Sequence, residues 1–172
     1  MTETTQPSPI KSKFLLSRSA GMALLAVGVV FVASAIGGAA TGPNIPTWYV
    51  TIQKPSFNPP NYVFGPVWTI LYAMLAFSFW RILRLPAETP GRSGAIALFV
   101  VQISLNALWS VAFFGFRSPE SGMVVIVGLL LAIVANMMAF MRLDRLAGWM
   151  FPPYLAWVAF ASALNLAIVQ LN

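Results

Sequence analysis

The sequence predicts an all-α integral membrane protein with five transmembrane helices in a bundle. Two observations carry this. Only 8% of the 172 residues are charged while 59% are hydrophobic, against about 25% charged in an ordinary soluble domain. And the apolar residues fall into five long runs separated by short polar or proline-rich segments. The chain has no cysteine and no histidine. That removes disulfides, thiol chemistry, the usual general base and the usual zinc or haem ligand. The four acids, Glu3, Glu88, Glu120 and Asp144, lie outside the apolar runs, which argues against a paired-carboxylate or metal site. The net charge of +6 reads as flanking charge rather than a nucleic-acid surface, since no basic segment is dense enough to form one.

Residues 1–19 form a polar N-terminal tail with Lys11, Lys13 and Arg18, expected to be disordered; residues 20–172 form the membrane domain. Ala20 to Ala40 carries no charge and spans about 31 Å as a helix, enough for the bilayer core. It exceeds a signal-peptide apolar region, although Val32 to Ala35 resembles a cleavage site. Gly37, Gly38, Ala39 and Ala40 at its end suit close helix contact. Thr41 to Asn58 reads as a long loop carrying Trp48 and Tyr49, as interfacial anchors or as a lid.

The second helix is expected from about Pro60 to Leu83. Pro66 deletes the bond to the Tyr62 carbonyl and predicts a kink. Phe64, Trp68 and Tyr72 recur every four residues and share a face. The third helix, about Gly94 to Phe114, aligns Gln102, Asn106, Trp109 and Phe113. Amides in such a helix turn inward, to a neighbouring helix or to a cavity. The fourth, about Gly122 to Met141, is aliphatic with Asn136 as a structural amide. The fifth, about Ala147 to Leu171, aligns Tyr154, Trp157, Ala161 and Asn165. Flat rings with sparse amides on helices two, three and five are the makings of a small-molecule pocket, and a flat aromatic ligand stacks on Trp68, Trp109 or Trp157. Any one ring taken alone reads first as core packing; it is the clustering beside prolines and amides that points the set to a site.

Three segments carry a resemblance: KPSFNPPNYVFGPVWTILY (Lys54 to Tyr72), NALWSVAFFG (Asn106 to Gly115) and PYLAWVAFASALN (Pro153 to Asn165). The chain resembles the translocator protein family, also called tryptophan-rich sensory proteins or peripheral benzodiazepine receptors, with Phe57 where that family often has Trp. The resemblance implies a compact five-helix bundle, usually a homodimer, in the lipid bilayer. It implies no required cofactor, with protoporphyrin IX or haem as ligand, and a role in tetrapyrrole sensing, transport or light-dependent breakdown. The pocket it implies comprises Trp48, Tyr49, Phe64, Gly65, Trp68, Asn106, Trp109, Trp157, Ala161 and Leu164. Were the chemistry photo-oxidative, Trp68 and Trp157 would be its catalytic residues. Lys54 is placed to pair with a propionate. The animal cholesterol motif is broken here by Ala167 and Gln170, so cholesterol is not expected as a partner. A transporter and an enzyme stay open beside a binder: the sequence shows no intramembrane charge to couple ions, and an enzyme would rely on Trp, Tyr or the ligand itself.

Five crossings put Lys11, Lys13, Arg18, Arg81, Arg84, Arg92, Arg142 and Arg145 on one side, leaving Lys54 and Arg117 on the other. In a bacterial inner membrane this orients the N-terminus to the cytoplasm. Reporters fused after Asn172 and within Arg84 to Ser93 are expected on opposite sides; a common side overturns the topology.

Overall fold

The computed structural model describes the chain from Pro9 onward, with side chains from Arg18. Residues 1–8 of the expected tail lie outside the described residues. The helices are α1 (Pro9–Thr41), α2 (Asn61–Leu83), α3 (Arg92–Ser110), α4 (Pro119–Leu143), the short α5 (Arg145–Gly148) and α6 (Phe151–Leu171). Among the described residues, five helical stretches are long and apolar enough to cross a membrane, with α5 and α6 together making the last. α1 starts before the apolar run, so the polar segment from Pro9 onward is helical backbone.

The expected loop after α1 is shorter than its prolines suggest. The chain continues as a 3-10 turn, Gly42–Asn44, and a π turn, Ile45–Tyr49. Pro43 and Pro46 have no N–H, so a regular helix cannot continue. Two side chains add bonds to backbone carbonyls through this stretch: Asn44 Nδ2 donates to Ala40 O at 2.9 Å and Thr47 Oγ1 to Pro43 O at 2.8 Å. Within lipid such satisfaction is obligatory, because no water replaces a missing partner. α3 also ends in a π turn, Val111–Gly115. α4 starts at Pro119, capped by Ser118, whose hydroxyl accepts from Ser121 N. Pro suits that first position because its N–H would have no partner there.

α1 packs between α2 and α3, α4 between α3 and α6, while α2 and α6 barely touch. The two ends of the bundle differ in consequence. At the end bearing most of the basic residues, α2, α3, α4 and α6 are joined by a ladder of buried rings. Phe79 stacks on Phe99 at 4.1 Å, Phe99 lies 5.9 Å from Phe140, and Phe140 meets Phe151 edge-on at 5.3 Å. Ser78 Oγ donates to Ala147 O at 2.7 Å, and a Cβ on Gly148 would fall 2.8 Å from the Met141 backbone. Only glycine lets α5 cross α4 so closely. Outward-facing apolar side chains such as Leu24, Phe31, Val124 and Leu131 make the lipid-facing surface.

One ion pair is found at this end among the described residues: Arg81 Nε donates to Asp144 Oδ2 at 2.7 Å. Asp144 also caps α5, its Oδ1 accepting from Ala147 N at 3.1 Å. Burial pushes the Asp144 carboxyl up, but the bond and charge of Arg81 and the backbone N–H groups outweigh it and hold it below the usual carboxylate range. The unfolded chain therefore binds more protons as the pH drops, and the stabilisation present at neutral pH is lost as pH falls through that lowered value. Thermal unfolding in detergent is expected to lose this increment on acidification in the wild type. Asp144→Asn, which keeps a capping oxygen, should be less stable at neutral pH and flatter in that window; an identical pH profile would refute the assignment.

Candidate functional site

At the opposite end α1, α2, α3 and α6 diverge around a cavity of about 410 Å³. Its floor is a hydrogen-bonded network at mid-bundle. Tyr72 on α2 donates to Asn106 Oδ1 at 2.7 Å; Asn106 Nδ2 on α3 donates to the Tyr154 hydroxyl on α6 at 3.0 Å, and Gln102 Nε2 donates to the same hydroxyl at 2.8 Å. Gln102, Asn106 and Tyr154 are almost wholly buried. Trp68 stacks on Tyr72 with ring centroids 5.2 Å apart and meets Tyr154 edge-on at 6.3 Å. The indole is thus held from below by two tyrosines that are themselves fixed.

The walls reflect helix periodicity. α2 contributes Phe64, Gly65, Trp68 and Tyr72, one turn apart. α3 contributes Trp109, and its π turn brings both Phe113 and Phe114 to the wall. α6 contributes Ala161, Leu164, Asn165 and Ile168. Trp109 Nε1 donates to Asn165 Oδ1 at 3.2 Å while Asn165 Nδ2 donates to Pro119 O at 2.7 Å. The ring is thereby tied to α6 and to the start of α4. Tyr49 closes the loop side, its hydroxyl donating to Asn58 Oδ1 at 2.7 Å.

Of the positions expected from the sequence, Tyr49, Phe64, Gly65, Trp68, Trp109, Ala161 and Leu164 line this cavity. Trp48, Asn106 and Trp157 do not. The π turn that sends Tyr49 inward sends Trp48 against Phe113 and Phe114, at 5.6 and 6.3 Å. Asn106 lies below the wall, holding the tyrosines. Trp157 stands one ring back, edge-on to Phe64 at 5.8 Å. Lys54 is also occupied elsewhere: Nζ donates to the carbonyls of Tyr49 and Ile52 at 2.6 and 2.8 Å. The Lys54 ammonium fastens the loop and is not on the cavity wall.

Sequence reasoning misses the fourth wall. Ser34, Gly37, Gly38 and Thr41 from the end of α1, and Gly42 from the turn after it, line the cavity. A signal for it exists in the sequence, because 34, 37, 38 and 41 fall on one helical face. The glycines read as a helix contact, and Gly37 is one: a Cβ there would lie 3.1 Å from Ser110 Oγ. Gly38 and Gly65 face open space.

Asn106→Leu removes the acceptor of the half-buried Tyr72 hydroxyl and one of the two donors to the buried Tyr154 hydroxyl, which should cost the ligand-free protein about 1–3 kcal/mol. Thermal unfolding in detergent reads this. Unchanged stability with lost ligand affinity would assign Asn106 to ligand contact instead.

Comparison with known proteins agrees with this architecture. The model of the TspO/MBR family matches residues 26–171. The chain is 40% identical to the tryptophan-rich protein TspO of Chlorobaculum tepidum, over 86% of this chain and 94% of that one. It is 39% identical to the protein CrtK of Rhodobacter capsulatus, over 88% and 95%. It is 34% identical to the human translocator protein, over 73% and 75%. With the match covering nearly all of the membrane domain, the chain belongs to the TspO/MBR family of integral membrane proteins.

Proposed function

We propose that this protein binds flat, largely apolar tetrapyrroles, protoporphyrin IX or haem, in the cavity between α1, α2, α3 and α6. The observation that carries the reading is the wall itself: Phe64, Trp68, Tyr72, Trp109 and Phe113 converge on about 410 Å³, with no charged side chain among the lining residues. Aromatic faces on several sides of a largely apolar slot favour a planar π-system. Titration of the purified protein with protoporphyrin IX, with Trp fluorescence as the readout, tests it; absence of saturable quenching refutes it.

Binding then serves sensing, transport or light-driven breakdown of the porphyrin. Flux into vesicles reads transport, and product analysis in light and dark reads breakdown. If breakdown occurs, Trp68 is the reactive indole on the cavity wall, beside Trp109, and Trp157 acts only through Phe64. The proposed setting is a bacterial inner membrane with the N-terminus cytoplasmic and a second copy of the chain as partner, which native mass in mild detergent reads.

Stacking contributes about 0.5–1.5 kcal/mol beyond burial. Trp68→Phe should therefore weaken porphyrin binding severalfold, since about 1.4 kcal/mol is tenfold. Any photochemical turnover should fall much further, because Phe is a poor electron donor. Trp157→Phe should change both less. If both variants leave affinity and turnover untouched, the rings are packing.

A further inference from the structure

The α1 wall differs in chemistry from the other three. It has no ring and almost no side-chain bulk, but it presents hydroxyls. Beside Thr41 in its last turn, the α1 wall carries Ser34, and Ser110 at the end of α3 reaches the same wall against Gly37; Ser34 and Ser110 are the two hydroxyls along the body of the wall. A serine or threonine inside a helix commonly returns its hydroxyl to the carbonyl one turn back. Ser162 does so to Val158 O at 2.8 Å, and Thr69 to Gly65 O at 2.9 Å. For Ser34 and Ser110 no hydrogen-bond partner is found among the described residues. The missing Cβ of Gly37 leaves room for Ser110 Oγ, which would otherwise face it at 3.1 Å.

We propose that Ser34 and Ser110 are the polar recognition point of the cavity, and that it selects ligands presenting an uncharged hydrogen-bond acceptor to α1. This rests on the reading of the cavity as a ligand site. Both residues are half-buried, so their hydroxyls are accessible from the cavity; a ligand that covers them without an acceptor leaves them buried unpaired, a penalty that a ligand carbonyl or ring nitrogen relieves. An ionised group gains nothing there. The nearby cations are committed elsewhere, Lys54 to the Tyr49 and Ile52 carbonyls and Arg117 Nε to Asn44 Oδ1 at 3.1 Å. A carboxylate drawn into an uncharged, low-dielectric wall would lose its hydration without an opposite charge in return. The ligand therefore enters with its neutral edge toward α1 and keeps any ionised group at the loop.

The test uses two neutral three-ring probes of similar outline, N-methylacridone, which has one carbonyl, and anthracene, which has none. Energy transfer from the tryptophans to each probe reads affinity in the full chain. Ser34→Ala and Ser110→Ala, alone or together, should lower N-methylacridone affinity by about fivefold, the value of one neutral hydrogen bond, and leave anthracene unchanged. Ser34→Thr and Ser110→Thr, which keep the hydroxyl, should retain the carbonyl preference; thermal unfolding checks that each variant is folded. Alanine variants that still discriminate between the probes overturn this inference alone, as does a wild type that binds both equally. A wild type that binds neither probe nor porphyrin overturns the cavity reading itself.

Discussion

A hydrogen-bonded network across three helices, centred on the Tyr154 hydroxyl and the Asn106 amide, holds this molecule in shape. Tyr154 receives two amide N–H groups from α3, and one of those amides, Asn106, receives the Tyr72 proton from α2. In lipid the hydrophobic effect does little to press helices together, since one apolar environment is exchanged for another. Directional bonds between buried polar groups then fix which helices meet and at what height. Below the network the bundle is filled by the Phe79, Phe99, Phe140 and Phe151 ladder. Above it α2 and α6 separate, and the space they leave is the cavity.

Five helices and their order are legible because lipid imposes a coarse code. A charge-poor run of about twenty residues has few other readings, and prolines and charges mark the ends. The rings of the site are legible for a similar reason: Phe64, Trp68 and Tyr72 sit at a helical period. What periodicity does not encode is depth. Asn106, Trp109 and Phe113 share a face of α3, yet Asn106 lies under the cavity and the other two beside it. Trp157 has the right face of α6 but is screened by Phe64. Distinguishing these requires the tilt between helices, which depends on the small residues at their crossings.

The two π turns are not legible, and they matter to the site. Each changes the number of residues per turn, so neighbouring positions cease to obey the helical wheel. Hence adjacent Phe113 and Phe114 both reach the cavity wall, and Tyr49 faces it while Trp48 does not. The α1 wall fails to register for the opposite reason. A glycine carries no side chain to announce what it faces, so a bare surface and a helix contact look alike in a string of letters.

The segment before α2 is fastened at a distant point. Asn172 Oδ1 accepts from Gln53 N at 2.9 Å, and Asn172 Nδ2 donates to Gln53 O at 3.1 Å and to Ile168 O at 2.9 Å. One amide thus clasps both backbone groups of Gln53 while resting on the last turn of α6. Helix ends fray more readily than their middles. When that turn unwinds, the clasp loses its footing, and the segment beside Tyr49 is left to the Lys54 and Tyr49–Asn58 bonds alone. Because Ile168 is also on the cavity wall, the same turn of α6 serves two ends at once, its carbonyl footing the clasp and its side chain closing the cavity.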